Sequence, residues 1–202
     1  GSDRKKTIDQ IGLDLYNRSK RVYNCAGNDI YERDNLVYRN PWTLPDEAKR
    51  FLMDELDYSQ FPLKTGNHID KRPGCINFSI LGRNALFEER AIYKEWDEIH
   101  NERIDIAYRF NLEFPELFAF VGGETGVDIS SKGSDKGQII RDFSFDDELH
   151  FFGDRMDEIG NDYPLAVQVK KRGGYTYQVK GWEDTRTRLE EFPTPPTGIL
   201  TL

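Results

Sequence analysis

Apolar residues that recur every three or four positions predict helices along four stretches of the chain. The stretches are residues 4–15, 45–56, 88–109 and 183–192. Asp3 is a suitable N-cap for the first helix, and Pro45 suits the first turn of the second. A further short helix is predicted between Lys136 and Asp142.

Short runs rich in apolar and β-branched residues predict strands between these helices. They cover residues 21–23, 29–31, 36–38, 75–81, 117–121, 127–129, 148–152 and 165–169. Gly173-Gly174 predicts the turn of a hairpin over residues 169–179. Helices and strands alternate toward both ends of the chain, which predicts a parallel α/β sheet, whereas the middle has the mixed order of an α+β domain.

The composition excludes several classes of protein. Among 202 residues, 36 acidic side chains outnumber 28 basic ones, and the net charge of −8 argues against bulk nucleic-acid binding. No apolar run approaches the roughly 18 residues of a membrane span. Two cysteines cannot form a disulfide scaffold, and the start does not resemble a signal peptide, so we expect a cytoplasmic protein with free thiols.

A candidate metal site follows the apolar run Leu149–Phe152. Gly153-Asp154 ends the predicted strand, and Gly160-Asn161-Asp162 follows in the next loop. Sites in open α/β sheets form at the carboxyl ends of strands, and oxygen ligands there suit Mg²⁺. The alternative is an ordinary strand-to-loop turn, because Gly, Asp and Asn adopt turn conformations readily.

Two helix starts are candidate phosphate sites, because backbone N–H groups at a helix start attract anions. Lys136 opens the predicted short helix, and Ser2 precedes the first helix. The alternative for Lys136 is a plain surface cap. The alternative for Gly1-Ser2 is a remnant of the kind that expression vectors leave.

Four polar side chains around a predicted strand form a candidate anion site. They are Arg72, Asn77, Arg83 and Arg90. Two arginines at the spacing of Arg83 and Arg90 can bind a phosphate through paired hydrogen bonds. A solvated charged face is the alternative.

In this order, the segments resemble the eukaryotic-type phosphomannomutases, members of the haloacid dehalogenase superfamily with a C2B-type cap. The resemblance rests on Gly1-Ser2-Asp3, on Gly74–Arg83 with Glu89-Arg90, on Gly122–Asp128 with Gly133–Lys136, and on Phe151–Asp154 with Gly160–Asp162. It implies a doubly wound, Rossmann-like core of residues 1–38 and 132–202, incomplete at its N-terminus. Residues 39–131 would form an inserted α+β cap.

The resemblance also implies a role for each matching residue. Ser2 and Lys136 would hold the transferring phosphoryl group. Asp154 would ligate Mg²⁺, with Asn161 and Asp162 supporting the metal. The hexose phosphate would be bound from the cap by Arg72, Asn77, Arg83, Arg90 and Asp128.

The implied reaction is Mg²⁺-dependent interconversion of mannose 6-phosphate and mannose 1-phosphate, a step of GDP-mannose biosynthesis. It would pass through a phosphoaspartyl intermediate, with a hexose bisphosphate as activator, in a homodimer formed through the cap. The family's nucleophile lies in an Asp-x-Asp-x-Thr-type loop that this sequence lacks, so we expect the chain by itself to be inactive. Departures from the family pattern include Ser134, Gly137 and Gly126, and the Gly173-Gly174 hairpin would be an insertion.

Two alternative functions stay open. A sugar-phosphate phosphatase of the same superfamily would use the same motifs. A truncated, inactive relative that only binds sugar phosphates would account for the missing nucleophile.

Overall fold

The computed structural model describes residues 2–158 and 160–192. Gly1 of the candidate phosphate site at Gly1-Ser2 and the tail 193–202 therefore lie outside the described residues. The chain divides into two compact units. One is Gly1–Tyr38 with Gly133–Leu202, and the other is Arg39–Lys132. Their assignment as catalytic core and cap stays a prediction.

Helices and strands follow one another along the described chain in a mixed α/β order. They are α1 (Arg4–Ile11), α2 (Leu13–Arg18), β1 (Val22–Asn24), β2 (Asp29–Glu32), β3 (Asn35–Arg39), α3 (Asp46–Tyr58), β4 (Ile69–Arg72), β5 (Cys75–Phe78), α4 (Phe87–His100), α5 (Glu102–Glu113), β6 (Leu117–Gly122), β7 (Gly126–Ser131), β8 (His150–Gly153), α6 (Tyr163–Lys171), β9 (Tyr175–Gln178) and α7 (Trp182–Glu191). Two short 3₁₀ helices cover Cys25–Gly27 and Lys136–Asp142.

The first unit contains a β-α-β motif that positions the loop after β8. Strands β8 and β9 pair in parallel, from His150 opposite Tyr175 to Gly153 opposite Gln178, and α6 connects them. A parallel pair needs such a crossover, because a tight turn can join only antiparallel strands. Leu149, Leu165 and Val169 are buried beneath this motif. A separate sheet has the order β1-β2-β3, in which β1 and β2 are antiparallel.

The second unit is a four-stranded sheet with helices packed on one of its faces. The strand order is β4-β5-β7-β6, and the pairs β4–β5, β5–β7 and β6–β7 are antiparallel. Apolar side chains of the sheet, such as Ile76 and Ile129, pack with Leu52 of α3 and Phe110 of α5 in one buried cluster. The sheet residues that alternate with them lie on the opposite, open face of the sheet, where Asp70, Arg72 and Asp128 are partly exposed and Asn77 is buried.

Two predictions for residues 165–179 are wrong. Residues 165–169 form part of helix α6 rather than a strand, because Pro164 in the first turn favours a helix start that the apolar run conceals. The hairpin over residues 169–179 is therefore absent, and Gly173-Gly174 instead connects α6 to the parallel strand β9.

Two of the predicted long helices are also wrong, because each is interrupted. Residues 88–109 form α4 and α5, because Asn101 takes a left-handed conformation with φ 55°. Asn tolerates this region better than most residues. Residues 4–15 are likewise divided between α1 and α2 at Gly12, where φ is 81°. The short helix at 136–142 is of the 3₁₀ type. Among the described residues, no helix has the length and apolarity needed to cross a bilayer.

We expect Phe110→Ala to lower the free energy of unfolding of the second unit by about 3–5 kcal/mol, because Phe110 is fully buried. Leu112→Ala is the matched control on the same helix, since Leu112 is 66% exposed, and should change it by about 0.5 kcal/mol or less. Urea unfolding followed by circular dichroism measures both. Equal losses in the two variants would contradict this description of the core.

Candidate functional site

The candidate phosphoryl site of the first unit is built around an ion pair between Lys136 and Asp162. Lys136 Nζ lies 2.5 Å from Asp162 Oδ1, and the two side chains are 25% and 5% exposed. Lys136 begins the second 3₁₀ helix, which Asp135 caps by accepting a hydrogen bond from the Gly137 N–H at 2.7 Å. Asp162 immediately precedes α6.

The second carboxylate oxygen of Asp162 fixes the loop after β8. Oδ2 accepts hydrogen bonds from the backbone N–H groups of Asp154 and Arg155, both at 3.1 Å. Gly153 is necessary here, because a Cβ at that position would lie 2.7 Å from Oδ2. Gln178 of β9 donates to the Asp154 carbonyl oxygen at 2.5 Å.

The environment of Asp162 favours its ionised form. Burial alone would raise the pKa of its carboxyl, but the hydrogen bond and charge of Lys136, together with the Arg155 N–H, outweigh burial. The pKa therefore lies below its usual value of 3.8.

A loop that the sequence reasoning missed connects Ser2 to the Lys136 segment. The Cys25 N–H donates to the Ser2 carbonyl oxygen at 2.9 Å. Asn28, which is buried, donates from Nδ2 to the carbonyl oxygens of Cys25 at 2.8 Å and Ser134 at 3.0 Å. Gln138 returns a hydrogen bond to the Ala26 carbonyl oxygen at 2.9 Å.

This connecting loop has an uncommon backbone. Cys25, Ala26 and Gly27 all have positive φ, at 48°, 59° and 87°. Two consecutive non-glycine residues in this region persist only where the surroundings hold them. The sequence pattern marked Gly27-Asn28 only as a turn, and no sequence signal indicates that Asn28 connects two distant segments.

Four of the predicted phosphoryl and metal residues thus belong to one hydrogen-bonded assembly, namely Ser2 through its backbone carbonyl, Lys136, Asp154 and Asp162. It runs from Ser2 through the 25–28 loop to Lys136, and through Asp162 to Asp154. The Ser2 hydroxyl is directed to Gln10 Oε1 at 3.2 Å. The side chains of Asp154 and Asn161 are exposed. The roles of these residues stay predictions.

The described residues supply only part of a metal site. Among residues 2–158 and 160–192, no three His, Cys, Asp or Glu side chains are grouped as ligands. Both oxygens of Asp162 are already engaged, whereas Asp154 is exposed to solvent. The donor set therefore fits one direct ligand from this loop, with Asp162 as support.

In the second unit, Asn77 and Asp128 lie side by side on the open face of the sheet. They are opposite each other on β5 and β7, and Asn77 Nδ2 donates to Asp128 Oδ1 at 2.7 Å. A Cβ at Gly126 would lie 2.4 Å from Asn77 Nδ2, and one at Gly122 would lie 2.3 Å from Asp128 Oδ2. In this chain, therefore, the Asn77 amide occupies the space that a side chain at position 126 would need.

The predicted arginines group around Asp70, which the sequence reasoning did not single out. Arg72 donates to Asp70 Oδ2 from Nε at 3.1 Å and from a terminal nitrogen at 2.9 Å. Arg83 Nε lies 3.8 Å from the same oxygen. Arg90 instead binds the carbonyl oxygens of Arg83 at 3.2 Å and Ala85 at 3.3 Å. Arg90 thus holds the backbone of the loop that carries Arg83. The sequence signal for Asp70 is its position two residues before Arg72, which places both side chains on the same face of a strand.

The fold defines the class of protein. The chain matches a haloacid dehalogenase-like hydrolase from Bacteroides thetaiotaomicron with a TM-score of 0.58 and 12% identity, over 94% of this chain and 83% of that one. It matches N-terminal truncated IMP-nucleotidase from Plasmodium falciparum with a TM-score of 0.53 and 15% identity, over 94% of this chain and 57% of that one. The protein therefore has a haloacid dehalogenase-like α/β fold, as the sequence predicted.

Sequence comparison narrows this class to one family. The family model of eukaryotic phosphomannomutase matches residues 1–194. A probable phosphomannomutase of Caenorhabditis elegans is 29% identical over 94% of this chain and 79% of its own length. A phosphomannomutase of Oryza sativa subsp. indica is 34% identical over 82% of this chain and 70% of its own length. The chain belongs to the eukaryotic phosphomannomutase family, which confirms the predicted resemblance.

We expect Asp162→Asn to lower the free energy of unfolding by about 1–3 kcal/mol at pH 7, because it removes one partner of a partly buried ion pair. Since the folded-state pKa of Asp162 is depressed, its contribution is complete above about pH 5 and is lost as the pH falls through the folded-state pKa. The difference in the free energy of unfolding between parent and variant should therefore become smaller as the pH falls. Urea unfolding at several pH values measures it.

Asp157→Asn is the matched control, because Asp157 lies in the same loop and is 56% exposed. It should leave the free energy of unfolding nearly unchanged at every pH. A gap for Asp162→Asn that stays constant between pH 7 and pH 2 would contradict stabilisation by the ionised carboxylate.

We expect Gly126→Ser to lower the free energy of unfolding by about 1–3 kcal/mol, because the new Cβ displaces the Asn77 amide. In an Asn77→Ala background the same change should cost much less, since the obstructing amide is gone. A double-mutant cycle measured by urea unfolding tests this coupling. Additive effects of the two substitutions would show that the residues do not share this space.

Proposed function

We propose that this chain belongs to an enzyme that interconverts mannose 6-phosphate and mannose 1-phosphate with Mg²⁺. Family membership supports the reaction class. The observation that carries the proposal is the assembly that joins Ser2, Lys136, Asp162 and Asp154 in one unit. Phosphoryl transfer mainly requires positioning and neutralisation of charge, and these side chains are suited to both.

In this proposal Ser2 and Lys136 hold the phosphoryl group. The Lys136 ammonium has three donors, of which Asp162 takes one, so donors remain for phosphoryl oxygens. Asp154 would ligate Mg²⁺, and Asn161 and Asp162 would support it from the same loop. When bound, Mg²⁺ would neutralise charge on the phosphoryl oxygens.

The nucleophile of the proposed phosphoaspartyl step comes from outside these 202 residues. The sequence contains no Asp-x-Asp pair. Within the described residues, β8 pairs with β9 alone, so its other edge is open to a further parallel strand. The carboxyl end of such a strand would lie beside Asp154, where sites in parallel sheets form.

The second unit would bind the hexose phosphate. Arg72 and Arg83 supply positive charge for a phosphate, and Asn77 and Asp128 supply polar atoms for sugar hydroxyls. A mutase must hold either end of its bisphosphorylated intermediate, which accounts for a hexose bisphosphate activator. Homodimer formation through this unit and a cytoplasmic location also stay predictions.

The test is ³¹P NMR of mannose 6-phosphate with Mg²⁺ and catalytic hexose bisphosphate. We expect mannose 1-phosphate to form with the product of the complete reading frame, and at least about 100-fold more slowly with Lys136→Ala. Lys171→Ala, at an exposed lysine of α6, is the control and should retain full activity.

The same spectra separate the alternatives. Release of inorganic phosphate without isomerisation would contradict the mutase proposal and identify a phosphatase. Binding without any turnover by the complete product would identify an inactive sugar-phosphate-binding relative. The 202-residue chain alone should bind mannose 6-phosphate without converting it.

A further inference from the structure

The open face of the sheet in the second unit carries two parallel rows of side chains. Cross-strand register places Asp70, Asn77, Asp128 and Phe120 in one row. The same register places Arg72, Cys75, Ser130 and Phe118 in the next. Successive residues of a strand alternate between faces, so both rows lie on the face opposite the helices.

Each row ends in an exposed phenylalanine on the edge strand β6. The rings of Phe118 and Phe120 stack with their centroids 5.6 Å apart and an interplanar angle of 27°. They are 46% and 39% exposed, whereas their neighbours Leu117 and Ala119 are buried in the core. The two rings therefore form a continuous apolar surface that the core of the unit does not use.

Polar groups border this surface on the side of β7. Asp128 stands opposite Phe120, and its carboxylate lies over Gly122 at the end of β6. Asn77 follows in the same row, and its Oδ1 is buried without a hydrogen-bond donor. The edge of a ligand that packs on the two phenylalanine rings would face the Asp128 carboxylate first. Asn77 and, further along the rows, Arg72 would follow.

A pyranose ring matches this arrangement. One of its faces presents C–H groups, which pack favourably on aromatic rings, and its edge presents hydroxyl groups that bind carboxylates and amides. A phosphate on the sugar would extend toward the arginine side of the rows. An acyclic phosphate would reach the arginines without covering the phenylalanines.

We propose that Phe118 and Phe120 form a platform for the sugar ring of the hexose phosphate and thereby determine specificity for a cyclic sugar. This inference rests on the proposed function, because it assigns the ring contact within the same substrate site. The two residues contact substrate but take no part in proton or phosphoryl transfer.

Isothermal titration calorimetry of the 202-residue chain with mannose 6-phosphate and with glycerol 3-phosphate tests the platform. We expect Phe120→Ala and Phe118→Ala each to weaken mannose 6-phosphate binding about tenfold. Binding of glycerol 3-phosphate should change about twofold or less, because it lacks the ring. Phe120→Trp should retain the affinity, and its fluorescence should respond to mannose 6-phosphate.

Tyr108→Ala is the matched control, since Tyr108 is an aromatic residue 64% exposed on α5, and it should bind both ligands as the parent does. If the parent binds mannose 6-phosphate and both phenylalanine variants bind it equally well, the platform is wrong while the proposed function stands. If the parent fails to bind it, both proposals fall. If the variants change only the sedimentation of the protein, the rings are a contact between copies, which also overturns the platform.

Discussion

The candidate phosphoryl site depends on the partly buried ion pair between Lys136 and Asp162. One oxygen of Asp162 orients the lysine, and the other holds the backbone of Asp154 and Arg155. The Asp162 carboxylate therefore positions both Lys136, which is proposed to bind phosphate, and the loop of Asp154, which is proposed to bind Mg²⁺. Burial would otherwise favour a neutral carboxyl, so the depressed pKa of Asp162 depends on these donors.

Glycines complete both candidate sites by leaving room for polar side chains above the backbone. Gly153 admits the Asp162 carboxylate, whereas Gly126 and Gly122 admit the Asn77 amide and the Asp128 carboxylate. In each case a Cβ would come within 3 Å of the polar group. The Asn77 amide and the Asp128 carboxylate thus lie close to the backbone of the sheet. Phe118 and Phe120, on the same face, are exposed beside them.

Much of the fold was predictable because local patterns were consistent with tertiary packing. In the second unit, β5, β6 and β7 were predicted close to their observed positions from their apolar and β-branched residues, whereas β4, which is largely charged, was not predicted. The run at 165–169 was ambiguous, because a short apolar segment fits a strand or a buried helix equally well. Pro164 in the first turn favours the helix. Asn101 divides the long charged helix through a left-handed backbone conformation that no periodicity reveals.

The candidate site was predictable only as far as motifs extend. Family resemblance named Lys136, Asp154 and Asp162, but the Asn28 hydrogen bonds that connect Ser2 to this segment join residues about a hundred positions apart. Asp70 between the arginines and the phenylalanine pair were likewise missed. The surroundings of Asp70, Phe118 and Phe120 depend on which strands become neighbours, and only the cross-strand register supplies that information.

We propose that the hexose phosphate binds at Asn77 and Arg83 of the second unit, and that the first unit binds a phosphoryl group at Lys136 and Mg²⁺ at Asp154. Chemical-shift mapping of the ¹⁵N-labelled chain during titration with mannose 6-phosphate and Mg²⁺ tests this proposal. We expect saturable shifts at Lys136 and Asp154 in the first unit and, independently, at Asn77 and Arg83 in the second. Shifts confined to other surfaces, such as helices α3 to α5, would contradict it.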